Sequence, residues 1–207
     1  MSPKRPLRDE VKHQVLERLV RGQLPFGHRI NETALSEDLG VSRTPLREAL
    51  LELQREGFLH SATARGFTVR PLTAHEIQEI YPILWTLESL ALQSVEQAPN
   101  IEALVDYNKK LHRTKNDPEK ALELDSDWHA LLISECHNER LRVMISELKR
   151  IVHRYEYTFM WDVALIERSV EQHQAVIDAL SHNNGKQAEM ALQMNWRTGM
   201  ESLLAQL

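Results

Sequence analysis

The stretch LSEDLGVSRTPLREALLELQREGFL, residues 35–59, constrains this chain more than any other. It reads as two helices split by a glycine. Asn31 can cap a short helix through Leu39, with Gly40 in the position that commonly closes helices. Ser42 can cap the next helix, and Pro45 is tolerated in its first turn. That helix is expected to reach about Glu56, burying Leu46, Ala49, Leu50 and Leu53 on one face. Upstream, Leu7 to Gly22 carries an apolar stripe of Val11, Val15, Leu16, Leu19 and Val20, which the glycines and proline of GQLPFGHRI then break. Downstream, GFLHSATARGFTVRPL alternates, breaks at Ala64-Arg65-Gly66 and resumes at Phe67, as two short strands and a turn would. Three helices and a hairpin in this order make a winged helix-turn-helix.

Such an arrangement suits a double-stranded nucleic acid. The N-terminus of the second helix offers unpaired N–H groups and a positive dipole end to phosphate. Arg43, Thr44 and Arg47 project from its first turns, and arginine can grip guanine in bidentate fashion. The hairpin tip, Arg65-Gly66, can approach the backbone or minor groove. A small trihelical packing module with a solvated basic face is the plainer account of the same residues. Helix start, turn, capped helix and wing all occur in order, which favours the first, and the charge distribution agrees with it. Residues 1–72 hold 12 Lys/Arg and 9 Asp/Glu, whereas the whole chain has a net charge of −5. A basic front and an acidic back place a polyanionic partner at the front.

From RPLTAHE onward, which reads as a linker with Thr73 as a helix cap, only helices are expected. They span roughly 74–97, 100–115, 118–136, 139–162, 166–182 and 186–205. Asp117-Pro118 is a cap followed by proline in the first turn, and SHNNGK is a turn. Pro82 should kink the first of these helices or mark a late start. The expected fold is therefore mainly α, with a winged domain at 1–72 and an antiparallel all-helical bundle of about six helices at 73–207. No apolar run approaches the ~18 residues of a membrane span. The first residues lack a signal-peptide core, and the single cysteine, Cys136, fits a reducing cytoplasm.

Residues 8–71 closely resemble the winged helix-turn-helix of GntR-family bacterial transcriptional regulators. GQLPFGHRI, LSEDLGVSRTPLREALLELQREGFL and ARGFTV carry the resemblance. It implies that Thr33, Ser42, Arg43, Thr44, Arg47, Arg65 and Gly66 match operator-contacting positions. It also implies a homodimer that reads a short pseudo-palindrome, one half-site per protomer. The second half resembles the FCD-type effector domain of the FadR-like branch, in its shorter VanR-type form, through EIQEIYPILWTLESLAL, DSDWHALL and SVEQHQAVIDAL.

That likeness implies a divalent metal held by an Asp and three His, assisting a small organic-acid effector. Asp125 and His129, one turn apart, match the first two ligand positions and His173 the third; the fourth falls on Asn195. Carboxylate and imidazole suit zinc, nickel or manganese, and an amide oxygen is the poorer ligand. An arginine common in the family is replaced by Leu84, four residues before Glu88, so a carboxylate clamp is lost. Trp128 and Trp196 adjoin the site and could wall it, although tryptophans are more often core, as Trp85 and Trp161 are expected to be. Arg150 and Arg154 either line the pocket mouth or pair with Glu147. His112, His137, His153 and His182 show no ligand spacing.

The function expected from these features is a ligand-responsive, DNA-binding transcriptional regulator rather than an enzyme. A constitutive DNA-binding dimer with a degenerate pocket is the alternative that Asn195 and Leu84 suggest. A metal enzyme would leave the whole first half idle.

Overall fold

The helix that carries Arg43 is amphipathic, and its buried stripe organises the first part of the molecule. The computed structural model describes residues 7–61, 66–95, 97–114, 116–159 and 163–207. Arg65 and Trp161 lie outside them. The chain divides into two compact units, Met1–Leu72 and Thr73–Leu207.

In the first unit, α1 (Leu7–Val20), α2 (Glu32–Asp38) and α3 (Arg43–Arg55) precede β1 (Leu59–Ser61) and β2 (Phe67–Val69). Leu46, Ala49, Leu50 and Leu53 of α3 are fully buried against Val11, Val15, Leu16 and Leu19 of α1. Full burial of a leucine stabilises by about 1.5–3 kcal/mol, so this face fixes how α3 presents its opposite side. Asn31 caps α2 as expected, its side chain accepting from Thr33 and Ala34 N–H. Ser42 stands at the cap position of α3 but makes no side-chain capping bond. The third residue of α3 is Pro45, which has no N–H to offer. The strands pair antiparallel, with Leu59 opposite Val69. Residues 27–30 add a third edge to β2: Ile30 N–H donates to Phe67 O and Val69 N–H to His28 O. This edge brings Arg29 beside the wing.

The second unit is all helical: α4 (Ala74–Gln93), α5 (Ile101–Arg113), α6 (Pro118–Leu132), α7 (Glu139–Phe159), α8 (Val163–Ser181) and α9 (Gly185–Leu204). Asp117, with Pro118 behind it, caps α6 by accepting from Lys120 N–H. Thr73, Asn100 and Asn184 cap α4, α5 and α9 in the same way. The late start at Pro82 does not occur. The α4 helix begins at Ala74 and runs through the proline. Helix α9 packs on α4 and α8, α5 on α6 and α8, and α7 on α4. Tyr81, Leu84, Trp128, Leu132, Val176, Leu192 and Leu203 fill the centre. The molecule is thus a winged helix-turn-helix followed by a helical bundle.

Candidate functional site

On the first unit, Thr33, Ser42, Arg43, Thr44 and Arg47 are all exposed. Arg43 donates from Nη2 to Thr33 Oγ1 at 2.9 Å, so the start of α2 steadies a guanidinium on α3. Arg47 lies 3.9 Å from Glu32, a solvent-screened contact that leaves it available. Gly66 has φ +84°, and a Cβ there would sit 3.1 Å from Glu32 Oε1 and 3.5 Å from the Arg29 guanidinium. The positive φ favours glycine there, and a side chain would push the Glu32 carboxylate aside. Arg29 therefore joins Arg43 and Arg47 around one surface hollow. Its place depends on strand pairing with Thr68, which no local pattern announces.

In the second unit, α6 and α8 bring Asp125, His129 and His173 together, with one ligand atom of each within 4.8 Å of the others. Asp125 Oδ1 is 3.5 Å from His173 Nε2, and Oδ2 is 3.8 Å from His129 Nε2. A ring of supports, absent from the sequence reading, holds them. Fully buried Glu88 on α4 accepts from His129 Nδ1 at 2.8 Å and from Trp196 Nε1 at 2.5 Å. Burial would raise the Glu88 carboxyl; His129, Lys149 at 3.7 Å and the Trp196 donor reverse this and hold it below its usual range. An ionised Glu88 only accepts, so His129 donates to it from Nδ1 and turns Nε2 toward Asp125 and His173.

Ser169 donates to Asp125 Oδ1 at 2.7 Å. Burial would raise the Asp125 carboxyl, but the facing imidazoles and Ser169 outweigh it and keep it ionised. Burial drives His173 down to about 3, so its ring is neutral. Trp128 is fully buried and stacks flat on His173, centroids 3.7 Å apart. A carboxylate and two imidazoles are the donor set that a divalent zinc, nickel or manganese ion takes. The residues present fit such an ion.

Asp125 and His129 open onto a cavity of about 50 Å³, several times what one water requires, whereas His173 is not part of its lining. Asp125, His129, Asn195 and Trp196 line it, together with Glu156, Ser169, Gln172, Thr198 and Ser202. Asn195 points inward, its amide 3.4 Å from Ser169 Oγ and 3.2 Å from Gln172 Oε1. It thus reaches Asp125 through Ser169. Three expected pocket residues do not line the cavity. Leu84 is wholly buried in the core, and Trp128 supports His173 from behind. Arg150 is exposed on a separate groove between α6 and α7 with Lys149 and His153. Arg154, also proposed for the mouth or for Glu147, is buried and pairs with Glu76 at the start of α4.

Comparison with known proteins agrees with both units. Residues 7–69 match the gntR family of bacterial regulatory proteins, and residues 79–197 match the FCD domain. The chain belongs to the GntR family. It is similar to the Nta operon transcriptional regulator of Aminobacter aminovorans, 33% identical over 75% of this chain and 74% of that one. It is also similar to the probable D-xylose utilization operon transcriptional repressor of Paenarthrobacter nicotinovorans, 27% identical over 88% of this chain and 82% of that one. Among solved structures, E. coli McbR/YncC shares the fold with a TM-score of 0.69 at 23% identity, covering 98% of this chain and 99% of that one. This GntR-family chain is accordingly a transcriptional regulator with an FCD effector domain. Among the described residues, no helix is long and apolar enough to cross a membrane.

Proposed function

We propose that this protein is an effector-responsive transcriptional repressor that binds operator DNA as a cytoplasmic homodimer. The first turns of α3, with Thr33, Ser42, Arg43, Thr44 and Arg47, would read the major groove. Arg65-Gly66 would meet the backbone or minor groove, and Arg29 would contact phosphate. Similarity to transcriptional repressors supports the sign. In the helical unit, Asp125, His129 and His173 would hold a divalent ion. When bound, that ion supplies a positive centre for an acidic oxygen of a small organic-acid effector. Glu88 and Ser169 orient the ligating side chains, and Trp128 and Trp196 exclude water around them. Effector binding would favour one placement of the two winged units over another and so change operator affinity.

The observation that carries the effector half is the convergence of Asp125, His129 and His173 beside one cavity, with Glu88 accepting from His129 Nδ1. Isothermal titration of the chelator-stripped protein with zinc, nickel and manganese tests it. Stoichiometric binding that Asp125→Asn abolishes is expected, and no binding of any of the three would exclude the metal. A second reading, a constitutive dimer with a spent pocket, gains from one contact: Ser169 already satisfies Asp125. It requires operator affinity that no metal or small acid alters.

A further inference from the structure

The open groove between α6 and α7 has a volume of about 690 Å³, within the range of small-molecule sites. One wall is a row on α7. Arg142, Ser146 and Arg150 follow one another at four-residue spacing and share a face, each arginine about 6 Å along the helix axis from the serine between them. Across the groove α6 contributes Asp127, Ala130, Ile133 and Ser134. Buried Ile133 and Ile145 give it an apolar floor.

Both guanidiniums are uncommitted. Glu139 and Glu147 each stand three residues before one of them, yet among the described residues neither pair closes to an ion pair. Exposed lysines of the same bundle do find such partners: Lys110 with Asp106 and Lys120 with Glu123, both at 2.7 Å. The second of these pairs also holds one of the two acids that line the groove. Asp127 is then the remaining acid against Arg142, Lys149 and Arg150.

Lys149 joins this wall to the interior. Its ammonium lies 3.4 Å from Ser126 O and 3.7 Å from Glu88 Oε1, an oxygen with no hydrogen bond of its own. Negative charge in the groove would draw on that ammonium and be felt at Glu88, whose other oxygen accepts from Trp196 Nε1. Ligand chemistries differ in how they meet the row. A carboxylate brings two oxygens and one charge, which suit a single guanidinium fork. A phosphate monoester brings three terminal oxygens and nearly two charges, which suit two forks with a hydroxyl between them. The apolar floor then receives the organic remainder.

We propose that the α6–α7 groove is a second ligand site, which takes the phosphate group of a small phosphorylated molecule over Ser146, between Arg142 and Arg150. It stands apart from the cavity beside Asp125 and needs no metal. Lys149 links its occupancy to Glu88.

The test is isothermal titration of the full chain at about 0.15 M salt, which screens diffuse surface attraction. The probes are glycerol 3-phosphate, glucose 6-phosphate, inorganic phosphate, glycerol, glucose and succinate. At least one ester is expected to bind about tenfold more tightly than glycerol, glucose or succinate. Inorganic phosphate binding as tightly as the esters would support the anion site and assign it to free phosphate. Arg142→Ala and Arg150→Ala should each weaken the ester about tenfold, the scale of a lost charge-assisted hydrogen bond, and Ser146→Ala several-fold. Arg140→Ala, on α7 but outside the lining, should leave binding unchanged. Succinate binding as tightly as the esters, no binding of any phosphate probe, or equal losses in Arg140→Ala would overturn the proposal. In a nitrogen-15 NMR titration the Trp196 indole N–H, assigned with Trp196→Phe, should shift with the same Kd. An indole resonance unmoved at saturation would overturn the link through Lys149.

Discussion

His129 and Glu88 form a fully buried pair, with Nδ1 donating to Oε2 at 2.8 Å across α6 and α4. The bond does two things at once: it satisfies a carboxylate that burial alone would neutralise, and it turns Nε2 toward Asp125 and His173. Glu88→Gln keeps the shape but loses the charge to which His129 Nδ1 donates. Metal affinity by calorimetry is expected to fall about 10–100-fold, the usual cost of losing an outer-shell carboxylate. Unchanged affinity would remove Glu88 from the site.

Asn195, the residue that the resemblance places at a fourth ligand position, points into the cavity. Asn195→His should therefore raise zinc and nickel affinity, because an imidazole replaces a weak amide donor. A competitive chelator titration reads the change directly. Weaker binding in this variant would mean that the hydrogen bond to Ser169 matters more than a fourth ligand.

The arginine face of the first unit separates base reading from phosphate contact. Arg43→Ala and Arg47→Ala are each expected to cost about 1–3 kcal/mol of operator binding and to relax sequence preference. Arg29→Ala should weaken all sequences alike and lower the salt dependence by about one phosphate contact. Fluorescence anisotropy at several salt concentrations distinguishes the two patterns. The far-UV circular dichroism of each variant should stay that of the parent protein.

Glu156 gives the helical unit a pH dependence of definite sign. Its carboxyl rises from an ordinary 4.5 to about 8 on folding, through burial first and the Asp125 charge second. Stability from this group is full below its unfolded value and is lost as pH rises through the folded one. Thermal unfolding midpoints should therefore fall between about pH 5 and about pH 8. In Glu156→Gln the fall should flatten, leaving that variant the more stable at the alkaline end. The lowered Glu88 and Asp125 carboxyls act in the opposite sense and at lower pH.

Local signals in the chain resolved the winged unit well, because its helices carry their own caps and stripes. Asn31, Gly40 and the buried row of α3 are readable within a few residues of one another. The same holds for Asp117-Pro118 at the start of α6. Pro82 left a kink and a late start open, and only the second is excluded: a proline inside α4 costs one N–H bond while the surrounding bundle holds the helix together. The Asp125, His129 and His173 convergence was legible through resemblance, since helical spacing alone leaves that pair ambiguous. Glu88, Ser169, Glu156 and Arg29 were not legible as site residues, because each acts through partners far away in sequence or on another element. Arg150 and Arg154 show the limit most clearly. One turn apart on α7, they part company, the first to an exposed groove and the second to a buried pair with Glu76.

The most direct measurement is operator affinity as a function of cavity occupancy. Duplexes selected from a random library by the full chain would be titrated by anisotropy against stripped protein, nickel-loaded protein, and nickel-loaded protein with each of a panel of small carboxylic acids. The expected result is a change in operator Kd of about tenfold, the scale of a 1–3 kcal/mol coupling, with metal and acid together, and its loss in Asp125→Asn. An operator Kd identical in all three states of the wild-type protein would contradict effector control through this cavity.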